Sequence, residues 1–371
     1  MKKIVIIGAS ELQNPLILRA KEMGLQTHVF AWKEGAVGEN TADYFYPISI
    51  VEKDKILKKC REIKPDAVLT IASELANITV NYIARNLGLT TNSEKSIILS
   101  TNKYEMRCAF NAIGIDTPVF YRIGEDDNLD NIYNMKLPVL VKPTDRSGSR
   151  GITKVDSFDE IKSAISRAID ISFEKKAIVE EYIEGDEYSF EAISYNGEHH
   201  LLAITQKYTT GEPYFIEKGH IQPANLSEKT IGCVKKIVFR ALDALEIKFG
   251  ASHTEFKIDK FGNIKIIEIG SRMGGDCIGS DLVKLSTGYD YLGMTIQVAL
   301  GQTPVFKKVY ETKVTGIKYI FSQQDYLTFE NIKREYSKNI YRYSNIEIKN
   351  NEITDSSSRC GFYIITADTV D

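Results

Sequence analysis

The order of apolar and polar positions changes character along the chain. From Met1 to Leu89, short continuous apolar runs are separated by amphipathic stretches. Lys3 to Ile7, Thr27 to Ala31 and Ala67 to Ile71 read as strands; Asn14 to Met23, Lys53 to Ile63 and Leu75 to Leu87 read as helices. Strands alternating with helices predict a parallel α/β sheet. The first strand runs into Gly8-Ala9-Ser10, a fragment of a dinucleotide fingerprint that lacks the full GxGxxG pattern; a ligand contact and a plain structural turn both stay open, and the turn suffices to explain it.

A second unit is predicted from about Asn92. Thr101-Asn102-Lys103-Tyr104 opens a helix reaching about Ile113, and Leu137 to Pro143 forms a strand that ends in Lys142-Pro143. A loop of small residues follows, Thr144 to Gly151, then a helix from Ser157 to Asp170 and a strand from Ala177 to Val179 leading into Glu180 to Glu187. Tyr188 to Thr205 reads as antiparallel β with Asn196-Gly197 as its hairpin turn. Beyond Val309 the chain is Tyr-rich and weakly periodic, with a last β run at Gly361 to Ile365; a small C-terminal lobe is expected there. The expected division is therefore 1–91, 92–305 and 306–371, with a flap-bearing part at about 115–185.

The stretch His253 to Arg272 carries the sharpest chemistry. Two runs of β-formers flank a turn, and a register symmetric about Phe261-Gly262 sets Glu255 directly opposite Glu268. Like charges at such a pair are destabilising, so a chain that builds it is expected to use it to hold a cation. Alternation sends Phe256, Ile258, Ile267 and Ile269 to a core face and leaves His253, with Arg272, on the face of the carboxylates. An exposed hairpin with solvated glutamates is the plainer reading, but Arg272 is followed by Met273-Gly274-Gly275-Asp276, where adjacent glycines let backbone N–H groups approach an anion. Carboxylate oxygens suit Mg²⁺, which usually completes its shell with phosphates and water. The pattern thus predicts a nucleoside triphosphate.

Composition narrows the classes. Lys and Arg number 47 against 50 Asp and Glu, without a like-charge block, which gives no support to a nucleic-acid partner. Five scattered cysteines without CxxC spacing read as free thiols in a reducing cytosol. No run approaches a membrane span, and the apolar stretch at Ile4 to Ile7 is too short for a signal peptide.

Lys142-Pro143, the Ser/Gly loop, the Glu180 to Glu187 segment and the Glu255/Glu268/Arg272 hairpin, in that order, resemble the ATP-grasp superfamily, specifically carboxylate–amine ligases of the amino-acid ligase and carbamoyl-phosphate-synthase-like kind. The resemblance implies an N-terminal parallel α/β (pre-ATP-grasp) domain followed by an ATP-grasp fold of two α+β subdomains. It implies ATP and Mg²⁺, with Mn²⁺ as a substitute. Lys103 and Lys142 would meet the phosphates, and Ser147 and Gly148 would cover them on a flap. The strand of Glu180, Glu181, Tyr182 and Ile183 would give the adenine its backbone hydrogen bonds, and Glu187 would accept from the ribose hydroxyls. Glu255 and Glu268 would hold the metal, with Ser271 standing where many relatives have a third ligand, an asparagine. Arg272 would stabilise the transferred phosphoryl group. Glu217 and His220 are candidates for the acceptor pocket, with Gly274 and Gly275 also near the substrate and His253 supporting the carboxylates.

By resemblance the expected reaction activates a small carboxylate, an amino acid for example, as an acyl phosphate and joins it to an amine. The alternative is a carbamoyl-phosphate-synthase-like or purine-biosynthesis-type enzyme acting on bicarbonate or a ribonucleotide precursor. A non-catalytic ATP-binding regulatory subunit would have lost Glu255, Glu268 or Arg272, and all three are present. Small-molecule partners are expected, with no nucleic acid and no membrane, and a homodimer is the candidate assembly.

Overall fold

The computed structural model describes residues 1–212, 214–348 and 353–369. Its N-terminal sheet has four parallel strands in the order Tyr44–Tyr46, Gln26–Phe30, Lys3–Ile7, Ala67–Leu69. Residues of alternate parity face opposite sides, so Ile4 and Ile6 pack with Leu16 and Ile17 of the helix Asn14–Glu22, while Val5 and Ile7 pack with the helices Lys53–Ile63 and Glu74–Leu87. The last helix begins where the Ser73 side chain accepts from the Ala76 N–H and stops at Gly88, whose φ of +68° is left-handed. That start fixes Glu74 in the first turn, at the edge of the cleft described below.

A smaller antiparallel sheet, ordered Phe120–Ile123, Ala177–Glu181, Val139–Pro143, Thr153–Val155, is backed by the helix Ile161–Ile171. Ile161, Ala164, Ile165, Ala168 and Ile169 recur at helical spacing and close its core. The largest sheet has eight strands, all antiparallel, in the order Ile264–Gly270, Gly250–Ile258, Asp186–Tyr195, Glu198–Thr209, Glu217–Gln222, Val314–Ile320, Gly361–Ala367, Ile340–Tyr343. The helix Glu228–Ala244 covers one face with Val234, Val238, Ala241 and Leu242. Among the described residues no helix is long and apolar enough to cross a membrane.

Two expectations change. Among the described residues the C-terminal segment makes no sheet of its own: Val314–Ile320 pairs with Glu217–Gln222, and the two later strands extend the same sheet. Its partners lie far away in sequence, so local periodicity carried no sign of them. The hairpin also holds a bulge. Glu255 pairs with Glu268, but the register then shifts and Phe256 pairs with Ile266. The extra residue moves Ile266 into the core with Phe256 and Ile269, and turns Ile267 to the cleft.

Candidate active site

The smaller sheet and the central sheet face each other across a cleft whose floor is the Glu255/Glu268 hairpin. Each glutamate keeps about a quarter of its side chain exposed, at 25% and 22%. Glu255 Oε1 is in contact with Lys207 Nζ and lies 3.3 Å from His253 Nε2. Burial pushes the Glu255 carboxyl up, yet Lys207 and His253 overcome it and hold the group well below the usual carboxylate range. Glu268 accepts from Lys103 Nζ at 3.3 Å, and the same ammonium donates to the Arg146 carbonyl at 2.5 Å. Lys103 thereby ties the hairpin to the loop that carries Ser147 and Gly148, both of which line the cleft.

Lys142 ends its strand inside the protein rather than in solvent. Its ammonium contacts Glu180, which also accepts from Arg107 Nε at 3.1 Å; all three side chains are buried. Burial opposes the charge on Glu180, but Arg107 and Lys142 keep it ionised. Burial, with Arg107 and Lys103 nearby, lowers the Lys142 ammonium below its ordinary value although Glu180 opposes this, and Arg107 is anchored further by donating to the Ile267 carbonyl at 2.8 Å. The Glu180 carboxylate is thus engaged by Lys142 and Arg107.

Along the neighbouring segment, Tyr182 and Ile183 line the cleft, and Glu181 does not. The Glu181 carboxylate turns outward and accepts from the Val119 N–H at 3.1 Å. Strand alternation explains this, since Glu180 already faces inward. The Ile183 carbonyl accepts from Lys257 Nζ at 3.1 Å, and Lys257 also lies over the Tyr182 ring. Glu187 lines the cleft 3.0 Å from Lys207. Phe215, held at a φ of +51°, faces Tyr182 with ring centroids 6.3 Å apart.

Past the hairpin the chain leaves the sheet, and alternate residues separate. Arg272 reaches the cleft and pairs with Glu74 at 2.8 Å. Burial, outweighing Arg272, raises the Glu74 carboxyl above its ordinary value. Ser271 points the other way: its hydroxyl accepts from Asn77 Nδ2 at 3.0 Å and sits 2.9 Å from Ser100 Oγ. It borders a separate cavity behind the cleft and is not placed to be a metal ligand. The Gly274 N–H donates to Glu191 Oε2 at 3.3 Å, so it is not free for a substrate anion; Gly275 does line the cleft. His253 is enclosed between Glu191, 2.5 Å from Nδ1, and Glu255. Burial lowers its basicity, but Glu191 and then Glu255 raise it to about 9, which makes it a cationic prop for Glu255.

The far end of the cleft is closed by the C-terminal segment. Ser356 Oγ donates to Glu217 at 2.8 Å, and Arg359 grips Asp276 through two bonds of 2.9 and 2.7 Å. His220 is buried with Nε2 3.7 Å from the same Asp276. Glu217 and His220 therefore share one region with Arg272 and Gly275.

A family model for the ATP-grasp domain matches residues 135–280, the stretch that supplies Lys142, Glu187, Glu255, Glu268 and Arg272. The chain carries an ATP-grasp domain. The large chain of carbamoyl phosphate synthase from Thermoanaerobacter sp. (strain X514) is 25% identical over 264 residues, covering 70% of this chain and 24% of that one. The present chain thus spans about a quarter of the length of the synthase chains it matches. Solved structures superpose along 100% of this chain, and two of them illustrate the likeness. The L-amino acid ligase from Bacillus licheniformis has a TM-score of 0.82 at 24% identity, with 94% of its chain covered. The phosphoribosylglycinamide synthetase from Anaerococcus prevotii has a TM-score of 0.78 at 22% identity, with 95% covered. These likenesses show the fold, with its N-terminal parallel sheet and two ATP-grasp α+β subdomains.

Several groups of the ATP-grasp cleft escaped the sequence reading: Glu74, Arg107, Glu191, Lys207 and Arg359. Each reaches the site from a segment remote from the hairpin, and only Lys207 and Glu191 sit on strands with a legible inward parity. Among the described residues no group of three or more His, Cys, Asp or Glu side chains converges as a metal cage. The donor set still fits Mg²⁺ carried by a nucleotide, because two opposed carboxylates on one face supply the hard oxygens such an ion takes from protein.

Proposed function

We propose that this ATP-grasp protein is an ATP-using enzyme that phosphorylates a carboxylate or bicarbonate oxygen and passes the activated group to an amine nitrogen. The observation that carries the reading is the convergence of Glu255, Glu268, Lys103 and Arg272 on one cleft. Mg²⁺ held by Glu255 and Glu268 would neutralise phosphate charge. The chain's own part is placement and positive charge, since phosphoryl transfer asks for little covalent work from the protein. Lys103 and the Arg107–Glu180–Lys142 cluster would hold the phosphates. Tyr182, Ile183 and Phe215 would border the base, and Glu187 the ribose. A substrate oxygen attacks the γ-phosphorus and ADP leaves. The amine then attacks the carbonyl carbon of the acyl phosphate, loses a proton and expels phosphate. Arg272, anchored by Glu74, would face the transferred group, and the Ser147-Gly148 loop would keep water from the intermediate.

Both signs of charge line the substrate end, with Glu74, Glu217 and Asp276 beside Arg150, Arg272 and Arg359. The relatives weigh toward bicarbonate or a ribonucleotide precursor, as in carbamoyl phosphate synthase and phosphoribosylglycinamide synthetase. The likeness to an L-amino acid ligase keeps an amino-acid carboxylate as the second reading. The deciding experiment follows ADP and phosphate release with MgATP against bicarbonate plus ammonium, ribonucleotide precursors, and amino acids singly and in pairs. Glu268→Gln is the control. Turnover with one set, silent in the control, names the substrate. ATP binding without turnover across all sets removes the ligase reading and leaves a regulatory subunit.

A further inference from the structure

Lys207 stands among three carboxylates that the proposed function gives three different duties. Its ammonium is in contact with Glu255, 3.0 Å from Glu187 and 3.8 Å from Glu217, and only 3% of the side chain is exposed. The backbone dictates this placement. Lys207 lies on the strand Glu198–Thr209, directly across from Glu187 on one side and His220 on the other, so its side chain enters the cleft at the centre of the sheet. Lys207 and His253 converge on the same oxygen of Glu255, Oε1.

This arrangement has an electrostatic consequence for any divalent ion. A bare cation entering the cleft meets a carboxylate whose charge is already balanced at contact distance, and it is repelled by the same ammonium in an environment where charges are weakly screened. A cation that arrives on a nucleotide brings phosphate charge of its own, which the ammonium attracts. We propose that Lys207 is a positioning residue that holds Glu255 against free divalent cations and releases it only to a cation delivered with nucleotide, while keeping its grip on Glu187 and Glu217. Metal loading is thereby tied to nucleotide entry, and the ribose, metal and acceptor carboxylates respond to one another through a single side chain. The inference rests on the metal assignment of Glu255 and Glu268 made above.

The test is binding of Mn²⁺ alone to the nucleotide-free protein, read by the electron paramagnetic resonance signal of free Mn²⁺. Lys207→Met is expected to bind Mn²⁺ at least ten-fold more tightly than the native protein. Lys207→Arg, which keeps the charge, is expected to stay near native, and adding Glu255→Gln to Lys207→Met is expected to abolish the gain. A purely packing role for Lys207 gives no such gain and leaves affinity equal or lower. Circular dichroism and thermal unfolding establish that the variants are folded, and Lys207→Gln replaces Lys207→Met if the apolar side chain prevents folding. Equal or weaker Mn²⁺ binding by the folded neutral variant overturns the proposal. MnATP binding to the native protein separates the two readings. If it binds and the gain is absent, only the role of Lys207 fails; if neither Mn²⁺ nor MnATP binds, the metal and nucleotide assignment fails with it.

Discussion

Glu74 holds Arg272 at 2.8 Å, joining the first turn of a helix in the N-terminal unit to the second residue past the end of the central hairpin. Both side chains are largely buried, at 10% and 14% exposure, so neither charge has water to turn to if the other is removed. The N-terminal unit therefore does more than precede the ATP-grasp domain: its helix Glu74–Leu87 supplies the partner of the guanidinium in the cleft. Glu74→Gln is expected to lower kcat by about ten- to a hundred-fold, the scale of a small misplacement of a positioned group. Nucleotide affinity is expected to stay near native, because Glu74 lies at the substrate end. Turnover together with calorimetric ADP binding checks the split; an equal loss in both refutes it.

Ser271 gives the complementary case. Its hydroxyl is engaged by Asn77 and Ser100 on the side away from Glu255 and Glu268. Ser271→Ala is expected to cost about 1 kcal/mol of stability, the usual net value of such a hydrogen bond. The Mg²⁺ concentration needed for half-maximal turnover is expected to remain unchanged. A several-fold rise in that concentration would restore Ser271 as a ligand.

What the sequence disclosed and what it withheld divide along a physical line. The opposition of Glu255 and Glu268 was legible because it depends on local alternation and one turn. The inward end of the Lys142 strand was legible for the same reason. The bulge that exchanges Ile266 for Ile267 was not, since both residues are isoleucine and either satisfies the pattern. The turn of the Ser271 hydroxyl toward Asn77 and Ser100 depends on those distant helices and leaves no mark in the local pattern. Arg107, Lys207 and Glu74 meet their partners only through tertiary pairing, for which a single sequence offers no register. The last strands joined the central sheet for a similar reason: Val314–Ile320 pairs with Glu217–Gln222, and Gly361–Ala367 and Ile340–Tyr343 follow it in turn.

Arg107 is completely buried and serves Glu180 and the Ile267 carbonyl together. Arg107→Met removes one cation of the cluster, leaving Glu180 with Lys142 alone and the carbonyl without its donor. Breaking a buried pair in this way typically costs about 3–5 kcal/mol. Urea unfolding should show a loss on that scale, and ADP affinity should fall because Lys142 loses its fixed partner geometry. Arg107→Lys should recover only part of either, since one ammonium does not reproduce the spread of the guanidinium fork. A stability change within 0.5 kcal/mol, the scale of an indifferent surface substitution, would show that the cluster does not hold the cleft wall.

His253 makes stability depend on pH in a direction that can be worked out. Burial opposes its charge, but Glu191 and Glu255 raise its folded value to about 9, from an ordinary value of 6.5. The folded chain therefore holds the proton more tightly than the unfolded chain does. The resulting stability is fully present below about pH 6.5 and is lost as pH rises through about 9, on the order of 3 kcal/mol in all. Urea unfolding of the metal-free protein at intervals across that window should show the decline, and His253→Gln should flatten it while lowering stability at neutral pH. Gly274→Ala tests the same contact from the other side. A Cβ there would stand 2.8 Å from His253 Nδ1 and 3.0 Å from Glu191 Oε2, close enough to force the buried pair apart. That variant should lose about 1–3 kcal/mol, the usual cost of overpacking, and should share the flattened pH dependence. An unaltered slope in both variants would assign the pH response to another group.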